Sequence, residues 1–242
     1  RLALHCTKPG YSTYPYGLYA HMQLRSRNIK TFRRLIKEWG SENLRDFPWR
    51  HTRDPYEVAV AELMLRRTQA KQVVPVYRKF LEGYPTPSAL ADADPDEVRS
   101  VLRPLGLEWR AENIIEFGSA VVQKFAGTVP IEDWQVQQLP GGGRYGSAAV
   151  RCFAAGQAAA IVDTNTVRVA GRVYGISREG EARRRTKMKE AITRCVDPDA
   201  PRFYNFSLLD FASAVCTARE SNHHICSFAK WRRCDYYRLV SS

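Results

Sequence analysis

Two acids and a glycine-rich turn are where this chain could do chemistry. Asp163 closes a short apolar run, Ile161-Val162, and opens the polar stretch Thr164-Asn165-Thr166. An aspartate there reads as a helix N-cap. The helix terminus also favours its ionised form, so capping and a chemical role are compatible. Glu62 lies among Val58, Ala61, Leu63, Met64 and Leu65 in an otherwise apolar helical stretch. A buried carboxylate is costly unless it is paired or working; an exposed or ion-paired glutamate is the plainer reading. Upstream of Asp163 runs Leu139-Pro140-Gly141-Gly142-Gly143-Arg144-Tyr145-Gly146. Its glycines allow positive φ at successive positions, and their amides with the following helix start form an anion pocket. No GxxxxGK[ST] is present, which excludes a nucleotide P-loop. A plain interhelical turn is the alternative. The Leu-Pro entry, basic Arg144 and the small-residue helix Ser147 to Ala155 favour a helix–hairpin–helix, which grips DNA phosphate without reading sequence.

The surrounding pattern is helical throughout. Asn28 to Trp39 is a basic amphipathic helix with Phe32, Leu35, Ile36 and Trp39 on one face. Further helices are predicted over Tyr56 to Gln69, Gln72 to Glu82, from Pro87, from Pro95 to Leu102, Arg110 to Phe125, and briefly over Ile131 to Gln138. After Asp163 come Thr164 to Tyr174, a basic helix around Arg183 to Arg194, and Pro201 to Thr217; residues 218–242 read as loop-rich and 1–24 as an extended arm. Proline and glycine breaks recur and no strand pattern is convincing, so the fold class is all-α.

The 242 residues carry a net charge of +12, which favours a polyanionic partner. Residues 1–53 balance to +8, 54–163 to −3 and 164–242 to +7. That asymmetry points to an electrostatic footprint made jointly by the two chain ends. Ordinary solvated charge is the alternative. No apolar run approaches the roughly 20 residues of a membrane helix. Arg1 to Gly10 lacks a signal-peptide core; the expectation is a cytoplasmic monomer, nucleoid-associated if prokaryotic.

These stretches resemble the helix–hairpin–helix DNA glycosylases of the endonuclease III superfamily, nearest the mismatch thymine/uracil branch. That family's pattern is Leu-Pro-Gly-Val-Gly-basic-X-Thr-Ala, followed about twenty residues on by Val-Asp-Thr/Gly-Asn/His-X-X-Arg-Val. Here it reads Leu139 to Gly146 and Val162-Asp163-Thr164-Asn165-Thr166-Val167-Arg168-Val169, supported by Phe47 to Tyr56 and by Glu62 to Thr68. Two positions depart: Gly142 replaces an apolar residue and Gly146 a threonine, and both are expected to loosen the hairpin.

The resemblance implies roles. Asp163 would stabilise an oxocarbenium-like sugar as the base leaves and help direct a water to C1′. Where lyase members carry a Schiff-base lysine, this chain has Tyr145, which implies a monofunctional enzyme. Glu62 matches an acid lining the base pocket, holding water or bonding the departing base. Leu139, Gly141, Gly142, Gly143 and Arg144 would hold the strand. Arg67, with Arg66 or Gln69 nearby, takes the wedge position that fills the gap when a base is flipped from double-stranded DNA. A solvated arginine pair is the alternative there. An adenine glycosylase and a non-catalytic helix–hairpin–helix DNA-binding protein are the other readings; the second needs none of Asp163, Glu62 and Tyr145.

Members often close with Cys-x6-Cys-x2-Cys-x5-Cys around a four-iron cluster. Here the pattern is Cys216-x6-His223-x2-Cys226-x7-Cys234. A 4Fe-4S cluster with one histidine ligand leads, zinc on the same Cys3His set is second, and a metal-free loop is third. The expected architecture is two helical domains: 54–162, a six-helix unit with the hairpin, and 1–53 with 163–242, a discontinuous unit ending in the ligand loop 216–234. Asp163 then lies at the junction.

Overall fold

A computed structural model of the chain describes residues 25–106, 108–177, 186–219, 221–230 and 234–240. The expected arm over 1–24 and the arginine run 183–185 lie outside the described residues. Thirteen α-helices and no strand occur among the described residues.

A shared local code starts three of them. α2 (Pro55–Met64), α4 (Pro87–Ala91) and α5 (Pro95–Leu102) each open on proline behind a capping side chain. Asp54 accepts from the Tyr56 amide at 2.7 Å, Thr86 from Ala89 at 3.1 Å and Asp94 from Asp96 at 2.8 Å. Proline at the first position loses no helical hydrogen bond, and the cap satisfies an orphan amide.

Two apolar cores form. The first takes the inner faces of α2, α3 (Ala70–Gly83), α4, α5, α6 (Glu108–Phe125), α7 (Asp133–Val136) and α8 (Arg144–Ala149), together with Phe47 and Trp49. The second joins α1 (Ser26–Asn43) to α9 (Thr164–Tyr174), α10 (Thr186–Cys195) and α11 (Pro201–Ala214). α1 buries Ile29, Phe32, Leu35, Ile36 and Trp39 at helical spacing, chiefly against α11. The chain thus returns at its C-terminal half to cover its N-terminal helix.

The seam between the cores is polar and aromatic. Phe206 of α11 enters the first core and stacks on Phe153 at 4.2 Å. The Asn205 amide donates to the Ala159 carbonyl at 3.1 Å. Arg50 forks onto buried Asp210 at 2.7 and 2.8 Å and lies over the Phe206 ring. Burial alone would raise the Asp210 carboxyl, but Arg50 and Arg45 hold it below its ordinary value.

Several boundaries shift from the periodicity by a few residues, as where α11 ends at Ala214 rather than Thr217; two differences are larger. α2 stops at Met64, not Gln69, because the backbone turns at Arg67, where φ is +56°. Residues 218–242, read as loop, contain the short helices α12 (Ser227–Lys230) and α13 (Asp235–Val240). Neither is long enough to set a recognisable period. No helix among the described residues is long and apolar enough to cross a membrane.

Candidate active site

Asp163 caps α9. Its Oδ1 accepts the amides of Asn165 at 2.9 Å and Thr166 at 2.7 Å. The Asn165 side-chain amide donates to Oδ2 at 2.7 Å, and the Asp163 amide donates to Thr166 Oγ1 at 3.0 Å. This reciprocal box fixes the carboxylate's rotamer. Glu62, from α2, is buried, and Tyr145, from α8, donates its hydroxyl to Glu62 Oε2 at 2.8 Å. Burial pushes Glu62 up to about 7; the Tyr145 hydrogen bond and the Arg66 and Arg50 charges oppose this, while Asp163 adds to it. Tyr145 is held well above its ordinary value by burial, by Glu62 and by Asp163, so it stays a neutral donor. Both groups sense the Asp163 charge. The structure therefore brings Asp163 within electrostatic reach of the hydrogen-bonded pair Glu62 and Tyr145.

The hairpin Leu139 to Gly143 joins α7 to α8. Leu139 and Gly142 are buried, while Gly143 and Arg144 are exposed at the start of α8, whose first turn carries no side-chain cap. The two departures from the family pattern have a steric cause. A Cβ on Gly142 would sit 1.8 Å from the Val136 carbonyl oxygen, and one on Gly146 would sit 2.7 Å from that of Gly141. The glycines let the backbone close on itself, so the hairpin is tight where looseness was expected. Below it, the Ser147 hydroxyl donates to Asp133 Oδ1 at 2.5 Å and Arg151 pairs with the same carboxylate at 3.3 Å. This clamp between α7 and α8 was not legible in the sequence; its only trace is a serine within a small-residue run.

The turn Leu65 to Gln69 divides the wedge candidates. Arg66 donates to the Gly141 carbonyl, so it ties the turn to the hairpin. Arg67 and Gln69 are exposed, and the Arg67 side chain makes no hydrogen bond or ion pair with any described residue.

The ligand candidates behave otherwise. Cys216, Cys226 and Cys234 are buried at one end of the second core. Among the described residues no group of three or more His, Cys, Asp or Glu side chains is arranged to hold a metal. Arg172 Nη1 donates to Cys216 Sγ at 3.3 Å, to the Thr217 carbonyl at 2.7 Å and to Ser221 Oγ at 2.8 Å, and its guanidinium lies over the Tyr236 ring. Cys234 donates to the Arg172 carbonyl at 3.4 Å, and burial pushes its thiol up to about 12. His223 packs edge-on against Tyr237 at 5.0 Å. Cys216 and Cys226 act electrostatically on Cys234, and Cys216 on Cys226; an iron–sulfur cluster or a tetrahedral zinc would need these thiols and His223 to converge as donors. Arg172 is the centre of the hydrogen bonds described at this end.

Comparison with known proteins agrees with the motif end of the molecule. The profile described as HhH-GPD superfamily base excision DNA repair protein matches residues 60–194. A thymine-DNA glycosylase of Aeropyrum pernix is 40% identical over 193 residues, covering 78% of this chain and 86% of that protein. A thymine/uracil-DNA glycosylase of Pyrobaculum aerophilum is 36% identical over 212 residues, covering 86% and 92%. Among solved structures, a thermostable thymine-DNA glycosylase superposes with a TM-score of 0.81 at 33% identity, over 88% of this chain and 98% of that one. With the hairpin, the capped aspartate and the all-helical fold in place, these likenesses have one explanation: the chain belongs to the HhH-GPD superfamily of base excision DNA repair proteins.

Proposed function

We propose that the protein is a monofunctional DNA glycosylase that hydrolyses the N-glycosidic bond of thymine or uracil mispaired with guanine, leaving an abasic site. The observation that carries the reading is the Tyr145–Glu62 hydrogen bond of 2.8 Å, with the Asp163 charge acting on both partners, directly behind a hairpin suited to phosphate. The relatives named for thymine and uracil excision supply the substrate class.

In this reading the hairpin amides and Arg144 hold the strand, and the target base leaves the stack, which costs least at a mismatch. As the bond to the base lengthens, positive charge grows on the sugar. Asp163, fixed by its capping box, stabilises that charge and orients water toward C1′. Glu62 carries a proton below about pH 7 and in that form donates to the departing pyrimidine. Tyr145 holds Glu62 in place and offers no amine, so no Schiff base forms and the strand stays intact. The two cores support the division into a hairpin domain over 54–162 and a second domain from both chain ends, with Asp163 at their junction. Neither an iron–sulfur cluster with one histidine ligand nor zinc at Cys216, His223, Cys226 and Cys234 enters any step.

The test is a panel of duplexes, each with one altered base, incubated with protein and then treated with alkali to reveal abasic sites. Cleavage is expected at thymine and uracil opposite guanine. It should fall at least about a thousandfold in Asp163→Asn, because asparagine keeps the cap but loses the charge, while mismatch binding persists. Undiminished turnover in that variant would sink the assignment.

A further inference from the structure

Arg110 stands in the first turn of α6, where a cation opposes the helix dipole, and it is 1% exposed. A buried charge in an unfavourable helix position needs a reason. Its partners are carbonyls and one hydroxyl, and no carboxylate pairs with it among the described residues. Nη1 donates to the carbonyl of Leu105 at 2.8 Å and to that of Gly106 at 3.2 Å. Nη2 donates to the carbonyl of Arg66 and to Thr68 Oγ1 at 2.8 Å. Burial lowers its pKa, and the neighbouring Arg66 lowers it further.

Two of those partners flank Arg67, whose φ of +56° is a left-handed conformation that costs a non-glycine residue energy. Such a backbone persists only where its surroundings fix it. Arg110 grips the residues on either side of Arg67 from beneath, and Arg66 ties the same turn to the hairpin through the Gly141 carbonyl. The Arg67 side chain is left exposed and unengaged among the described residues.

We propose that Arg110 is a positioning residue for base flipping: it holds the 65–69 turn in the strained shape that presents Arg67 to the gap in the duplex. The inference rests on the glycosylase reading and adds to it the device that fixes the wedge. It acts through Arg67 and touches no substrate. A fork of donors is required, because four acceptors on two segments must be reached at once. Lysine keeps the charge but not the fork.

The test uses a G·T or G·U duplex with 2-aminopurine beside the target base, under saturating protein, and reads its fluorescence rise as the base leaves the stack. Base release is measured on the same duplex without the probe. Arg110→Met should cut the fluorescence rise roughly fivefold or more, and Arg110→Lys should restore little of it. Arg67→Ala should show the same loss, and the double variant should lose no more than either single one. A fluorescence rise equal to wild type in Arg110→Met, or additive losses in the double variant, would overturn the proposal. If Arg110→Met does not fold, Thr68→Val removes one acceptor at little change in volume, and a wild-type rise there is equally decisive against it. A wild-type protein that releases no base from any duplex would instead overturn the glycosylase reading itself.

Discussion

The hairpin end and the cysteine end both carry spaced motifs, and the described residues assemble them differently. At the hairpin end, residues 83 positions apart, Glu62 and Tyr145, share a 2.8 Å hydrogen bond, and Asp163 acts on both. At the cysteine end, four residues within a stretch of nineteen form no assembled metal-holding group among the described residues, and Arg172 makes the contacts there. The difference lies in what each motif demands. Hairpin and cap need only backbone shape and one carboxylate, so the arrangement survives substitutions such as Gly142 and Gly146. A cluster needs every donor in place at once. With histidine in one position and the last cysteine two residues late, the thiols are buried, and Cys216 and Cys234 hydrogen-bond to Arg172.

The contrast can be broken most forcefully at the hairpin. Gly142→Val restores the residue type of the family pattern but drives a side chain into the Val136 carbonyl. Overpacking against backbone costs about 1–3 kcal/mol, roughly 2–4 °C in melting temperature per kcal/mol for a chain of this size. Duplex affinity should fall about tenfold, an effect of 1.4 kcal/mol, because the phosphate grip is part of the same turn. Thermal melting and titration with plain duplex measure both. A variant that melts and binds like wild type would mean that the close approach is not what sets the two glycines.

A smaller and pH-dependent effect tests the pocket. Glu62 stands at about 7 in the folded protein against an ordinary 4.5, with burial as the main cause. Between those values the unfolded chain binds fewer protons than the folded one, so stability falls as pH rises through this window, and the cost is complete above 7. Glu62→Gln removes the ionisation and keeps an acceptor for Tyr145. It should therefore gain stability relative to wild type at pH 8.5 and lose that advantage at pH 5, as read by denaturant unfolding. Single-turnover base release by wild type should decline as pH rises through about 7, and that inflection should vanish in Glu62→Gln. A stability difference independent of pH would place the Glu62 carboxyl outside the coupled pocket.

Much of this is legible in the sequence. The Asp-Pro and Thr-Pro starts of α2, α4 and α5, the face of α1 and the cap at Asp163 follow from local rules, and local rules survive in sequence. Glu62 stood out as a charge in an apolar helix. The missed features depend on approach between distant segments. Nothing near Gly142 says that the Val136 carbonyl lies against it. Arg110 reads as an ordinary helix residue until its four acceptors are seen. The periodicity runs five residues past the end of α2 because the strained turn at Arg67 is held by a side chain some forty positions away.

The smallest expected effect is at the cysteine end, and its size is the argument. If Cys216, His223, Cys226 and Cys234 held a structural zinc, the metal would contribute on the order of 10–16 kcal/mol to folding, and chelation would unfold the second core. The packing around Arg172 predicts otherwise. Dialysed protein should carry less than about a tenth of an equivalent of iron or zinc. A strong chelator should leave the melting temperature where it was, and Cys226→Ser should cost only what a small buried side chain costs, roughly 1–2 kcal/mol. Arg172→Met should cost more than Cys226→Ser, because it strips Thr217, Ser221 and Cys216 of their shared donor. A visible iron–sulfur band, or one tightly held zinc, would make the two ends of the molecule alike after all, and would show that histidine can complete the set that the spacing began.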